Sequence, residues 1–231
     1  MKNTYKTLKK YYSKKHSRGW IQTNGSIWPI LHNFDPPQFE IVVGALLTQN
    51  TAWVNVEKAL KNLAEAGVIS SDGIANIRIS KLEQLIRPSG FYRQKAKRLK
   101  ALSKFIENHE NFYNSVTREE LLSINGIGRE TTDSILNYAC SKSVFVVDAY
   151  TRRIFSRLGI ISGEEDYDEI RQMFEKSIKS GAQSASVRAF QEFHALIVEH
   201  AKVHCNKEPL CIKCPLEKCS YGKLHRQARM D

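Results

Sequence analysis

Residues 117–157 read TREELLSINGIGRETTDSILNYACSKSVFVVDAYTRRIFSR, and this stretch decides the fold. Thr117 and Glu120 have capping-box spacing, which predicts a short helix beginning there. Asn125-Gly126-Ile127-Gly128 then breaks it, because glycine alone enters positive φ without strain. A second helix is predicted from about Arg129, with Ile135, Leu136 and Ala139 on one face. The backbone N–H groups of such a glycine hairpin, and the exposed start of its second helix, can hold a phosphate oxygen without reading any base. Asp148 closes the apolar run Val144–Val147 and opens the next helical pattern. Its plainest reading is a helix N-cap, and a capping carboxylate still has a second oxygen to offer.

Working outward, the pattern is helical from Phe39 through Val42, Val43, Leu46 and Leu47, until the polar knot Thr48-Gln49-Asn50-Thr51. Another helix follows, carrying Val54, Val56, Ala59, Leu60 and Leu63. Ile69 to Ile79 reads as loop, Ser80 as the cap of a helix reaching Ile86, and Pro88-Ser89-Gly90 as a turn. Tyr92 to Ile106 has the spacing of a basic amphipathic helix. Downstream, Tyr167 to Ile178 and Ser186 to His200 read as two further helices. A basic, aromatic arm (Tyr5, Tyr11, Tyr12, Trp20) leads in and ends at Pro36-Pro37. With no repeats and few strand signals, the fold class is all-α.

Lysine plus arginine number 35 against 24 aspartate plus glutamate, a formal charge of +11 over 231 residues. The excess is clustered. Residues 1–34 carry Lys2, Lys6, Lys9, Lys10, Lys14, Lys15 and Arg18 and no acid, and Arg93, Lys95, Lys97, Arg98, Lys100 and Lys104 form a second cationic run. Clustering of this kind points to a polyanionic partner, nucleic acid above all. The lysine-rich start lacks the apolar core of a secretory signal, and Ile41 to Leu47 is too short to span a bilayer. A cytoplasmic, reducing setting is therefore expected, where five cysteines do not make a disulfide framework. Cys205, Cys211, Cys214 and Cys219 instead suit either a tetrahedral zinc or a [4Fe–4S] cluster, and spacing alone does not choose. Cys140 stands apart and reads as a small buried helix residue.

Hairpin, downstream aspartate and terminal cysteines, in this order and spacing, resemble the endonuclease III-like branch of the helix-hairpin-helix (HhH-GPD) DNA glycosylases, over about Phe39 to Tyr221. The resemblance implies two helical lobes with a cleft between them. One would be a six-helix domain at residues 33–142; the other would combine 1–32 and 143–231, with the cluster loop at 205–219. It also implies [4Fe–4S] rather than zinc on the four cysteines, though the family gaps of six, two and five are here five, two and four. By position, Asp148 matches the catalytic aspartate. Asn125, Gly126, Ile127, Gly128 and Arg129 match the hairpin that grips the DNA backbone. Gln49 matches the residue that fills the gap left by an extruded base; read alone, it is an ordinary helix-terminal polar residue.

One position departs from the bifunctional members, which carry a lysine in a Gly-Arg-Lys-Thr context. Here the segment is Gly128-Arg129-Glu130-Thr131, and a glutamate cannot attack a sugar C1′ as an amine does. The resemblance thus implies a monofunctional glycosylase in which Asp148 assists water, while Glu130 either lines the pocket or simply starts a helix well. Trp28 and Trp53 are expected walls for the extruded base, where stacking on a cationic base is worth ~2 kcal/mol; their plainer reading is core packing. Gly-Ile-Gly-Arg-Glu, Val-Val-Asp and the segment from Trp28 to Trp53 look most like the 3-methyladenine glycosylases. The expectation is a nucleoid-associated monomer that removes alkylated purines such as 3-methyladenine from double-stranded DNA. Excision of mismatched thymine, uracil or oxidised pyrimidines, or a non-catalytic DNA-binding module, are the alternatives.

Overall fold

A computed structural model describes residues 1–15, 30–178 and 182–227; Trp20, Trp28 and Arg18 lie outside them. Every regular element among the described residues is helical. In chain order the first are α1 (Lys2–Lys15), α2 (Pro37–Leu47), α3 (Trp53–Glu65), α4 (Ser71–Asn76) and α5 (Ile79–Leu85). Next come α6 (Tyr92–Glu107), α7 (Phe112–Ser115), α8 (Arg118–Ser123) and α9 (Arg129–Ser134). The last are α10 (Ala149–Arg157), α11 (Tyr167–Ile178), α12 (Gln183–Val203) and α13 (Ser220–Gln227). The chain resolves into two compact units, Trp28–Ser141 and Met1–Ile27 with Lys142–Asp231.

In the first unit, α2 is buried from Phe39 to Leu47, so it is the helix about which α3, α6 and α9 pack. Glu40 lies inside it and is satisfied by accepting the N–H groups of Leu31 and His32, both at 2.9 Å. Ile69 to Ile79 is not the loop its composition suggested. Ser70 accepts the Gly73 N–H and caps α4, whose Ile74 and Ala75 are buried beside α6. Ser80 is not a cap either: α5 starts at Ile79, after Arg78. The capping box at Thr117 is present in full, with Glu120 accepting back from the Thr117 N–H at 2.7 Å. After α9 the chain widens into a π-turn over Ile135–Ala139, whose five side chains are all buried. Cys140 caps that turn and is half-buried, not a residue of the helix interior.

In the second unit the described part of the N-terminal arm, residues 1–15, is a helix. Thr4, Leu8 and Tyr12 recur at four-residue spacing and are buried, and α1 packs on α12. The spacing was there, but seven cations in the arm obscured it. The core is aromatic: Phe145, Phe155, Phe174, Phe190 and Phe193 are all within 2 % of complete burial. Phe145 stacks on Phe174 with centroids 4.4 Å apart. Val144–Val147 is buried without joining a sheet, and Glu175 of α11 accepts the Phe145 N–H at 3.0 Å. α12 runs longer at both ends than the span from Ser186 to His200.

Candidate active site

Asp148 is the N-cap of α10. Its Oδ1 accepts the Thr151 N–H at 2.7 Å, which answers one of the orphan donors of the helix start and places the carboxylate at the positive end of the helix. Its Oδ2 lies 3.5 Å from Nε2 of His194, which α12 supplies. Both side chains are nearly withdrawn from solvent, at 13 % and 12 % exposure. Burial alone pushes the Asp148 carboxyl up; His194 and the Thr151 N–H outweigh that and hold it below the ordinary aspartate value. The group is therefore an ionised carboxylate in a largely desolvated place. His194 was not singled out in the sequence, because nothing local to Phe193-His194-Ala195 distinguishes it from core filling.

The hairpin is held from three sides. Gly126 has φ +85°, and a Cβ there would come within 2.2 Å of the Arg98 side chain, so this position requires glycine on two grounds. Gly128 is different: its φ is −91° and nothing crowds it, so it serves as an N-cap without a side chain, leaving the start of α9 uncovered. Gln49 donates to the Gly126 carbonyl (3.2 Å) and to Thr131 Oγ1 (2.9 Å), while Arg98 donates to Gln49 Oε1 (2.7 Å). The knot after α2 is thus wired to the hairpin. Behind it, Arg118 of α8 grips Asp133 of α9 in bidentate fashion at 2.7 and 3.1 Å, and Asp133 is fully buried. Removing one member of such a pair strands a buried charge, at about 3–5 kcal/mol.

Of the expected pocket residues, Trp28 lies outside the described residues. Trp53 is half-buried at the first turn of α3 and donates its indole N–H to Glu57 at 2.8 Å. Glu130 is exposed in the first turn of α9, where its charge suits the helix end. The exposed residues of the hairpin include Asn125, Gly128 and Arg129.

Cys205, Cys211, Cys214 and Cys219 border one cavity in their unit, together with His200 and Arg157. Burial pushes the Cys214 thiol up to about 11; a Leu216 N–H opposes the shift, and the other three thiols add to it. Four sulfurs bordering one cavity, whose charges would repel one another, fit a cationic inorganic group, which would relieve that repulsion. Among the described residues, no group of three or more His, Cys, Asp or Glu closes on a point as a single metal ion requires. Arg157 ends α10 by donating to Cys205 Sγ (3.2 Å) and to the carbonyls of Asn206 (2.7 Å) and Lys207 (3.1 Å). Arg153 donates to the Cys205 carbonyl at 2.8 Å.

Comparison with known proteins gives these features a context. The model of the HhH-GPD superfamily base excision DNA repair proteins matches residues 43–180, which include Gln49, the hairpin and Asp148. A Methanocaldococcus jannaschii protein, provisionally named a DNA repair glycosylase, is 45 % identical over 228 residues, covering 95 % of this chain and 94 % of its own. The crystal structure of H. pylori 3-methyladenine DNA glycosylase (MagIII) bound to 1,N6-ethenoadenine is 38 % identical, with a TM-score of 0.72 over 87 % of this chain and 96 % of that one. A trapped endonuclease III–DNA covalent intermediate shares the fold, with a TM-score of 0.77 at 22 % identity over 98 % of this chain and 99 % of that one. The all-helical architecture, the family match across the hairpin and its downstream aspartate, and the near-full-length relative agree: this chain belongs to the HhH-GPD superfamily of base excision DNA repair glycosylases.

Proposed function

We propose that this glycosylase hydrolyses the N-glycosidic bond of an alkylated purine such as 3-methyladenine, without cleaving the DNA strand. The observation that carries the reading is Asp148: a carboxylate kept ionised while nearly buried, with one oxygen committed to α10 and the other not used by the cap. Departure of a base builds positive charge on the deoxyribose, and an ionised carboxylate beside C1′ lowers that barrier and orients water. The base must first leave the stack, which costs a few kcal/mol, least where it is damaged. In this reading Asn125 to Arg129 hold the backbone of double-stranded DNA, and Trp53, Trp28 and Glu130 belong to the base pocket. Gln49 enters the vacated stack only by giving up its bonds to Gly126, Thr131 and Arg98. Two things support the alkylpurine choice: Glu130 stands where a Schiff-base lysine would, and MagIII is similar over nearly its whole length.

Cys205, Cys211, Cys214 and Cys219 would hold a [4Fe–4S] cluster, which when bound supplies four strong cross-links to a loop with little other structure. The deciding experiment is base release from methylated DNA, set against T:G and thymine-glycol duplexes, with Asp148→Asn alongside. Release of 3-methyladenine with intact abasic sites, abolished by Asp148→Asn at unchanged DNA affinity, is expected. Efficient pyrimidine release without 3-methyladenine, or wild-type release by Asp148→Asn, would overturn the proposal.

A further inference from the structure

We infer that His194 is a positioning residue for the Asp148 carboxylate, a role that rests on Asp148 being the catalytic group. The fold treats the two carboxylate oxygens differently. Oδ1 is consumed by the α10 cap through the Thr151 N–H. Oδ2 is the oxygen that the cap leaves over, and it is the one that His194 Nε2 approaches, at 3.5 Å. Capping a helix does not call for an imidazole there.

The ring itself is held. Phe145 stands edge-on to it, with centroids 6.4 Å apart and planes at 88°, and Phe145 is stacked in turn on Phe174. An imidazole fixed by a packed aromatic core is preorganised, which is what aiming a carboxylate requires. The neighbouring ionisable groups have other engagements. Glu175 of α11 accepts the Phe145 N–H and pairs with Arg171 at 2.9 Å. The Tyr167 hydroxyl accepts the Val147 N–H at 3.3 Å, and Arg152 of α10 donates to the Glu165 carbonyl at 3.0 Å. His194 therefore does two jobs: it keeps Oδ2 ionised against burial, and it fixes the direction in which that oxygen meets the attacking water.

The test begins on the free protein, by following the Asp148 carboxyl through pH with 13C NMR in wild type, His194→Leu and His194→Gln. Both variants should titrate at higher pH than wild type, His194→Leu by more. On a methylated duplex, His194→Leu should lower single-turnover release of 3-methyladenine ~10-fold or more, the scale of one lost electrostatic contact to a desolvated carboxylate. The acid limb of its pH–rate profile should move up, while affinity for an abasic-analogue duplex stays within about 3-fold. His194→Gln keeps an N–H donor and should recover most of the neutral-pH rate. An Asp148 titration unchanged in His194→Gln overturns the proposal even if His194→Leu fails to fold, and so does a loss of affinity as large as the loss of rate. Asp148→Asn separates the two failures. Retained release there removes the carboxylate reading itself; abolished release beside wild-type behaviour of the His194 variants removes only the histidine.

Discussion

Lys95 is 1 % exposed, and its ammonium donates to the carbonyls of Leu47 and Ser89 and to Thr51 Oγ1, each at 2.7 Å. It answers a C-terminal carbonyl of α2 and fastens the knot that carries Gln49 to the turn before α6. Burial, with the nearby Arg98 charge, brings its pKa down from 10.5 to about 8. The sign follows directly. Between pH 8 and 10.5 the unfolded chain holds a proton that the folded one has lost, so stability from this group rises with pH across that window. The rise amounts to about 3 kcal/mol. Urea unfolding at pH 7.5 and pH 10 is the check: relative to Lys95→Met, the wild type should gain stability at the higher pH. An equal pH response in the two proteins would contradict it. In the sequence Lys95 was one more positive charge in a run, because a lysine's partners are set by tertiary packing. Asp148 was legible for the opposite reason, since a helix cap is a local matter.

The same contrast divides α6. Its run of six cations reads as one basic face, but the helix splits it. Lys95 is buried, Arg98 donates to Gln49, and Lys100 donates to the carbonyls of Ala75 and Ile77 at the C-terminal end of α4. Arg93, Lys97 and Lys104 are the exposed ones. Only this second set is free to meet phosphate, so the electrostatic face is half what composition implied. Lys97→Glu should therefore weaken duplex binding and reduce the steepness of its salt dependence by about 1 in log–log slope or more, as each phosphate contact contributes ~0.9. Fluorescence anisotropy across a salt series reads this directly; an unaltered slope would remove α6 from the DNA-binding surface. The boundaries of α2, α3, α6, α8 and α11 were legible because apolar periodicity, prolines and caps are written locally. α1 and α4 were not: one hides its stripe among lysines, and the other is too short for a period to register.

Across the whole chain, what was legible is the family, carried by the order of hairpin, aspartate and cysteines; what was not is everything that depends on distant partners, His194 foremost. The cysteine loop belongs to this scale, because its four thiols gain meaning only when α10, α12 and the C-terminal segment come together. Purified protein should be yellow-brown, with broad absorbance near ~400 nm and matching iron and sulfide; a colourless zinc protein would rule the cluster out. One further consequence lies in α10. It is a single rigid rod of 9 residues, about 13 Å long, with Asp148 at its tip and Arg157 bolted to Cys205 at its foot. A lever of that length magnifies small disturbances: a tilt of ~10° at the foot swings the tip by roughly 2 Å, well past the tolerance of a reacting geometry. Oxidising or stripping the thiols should thus blunt the enzyme from a distance, silencing repair with every catalytic atom still in the chain.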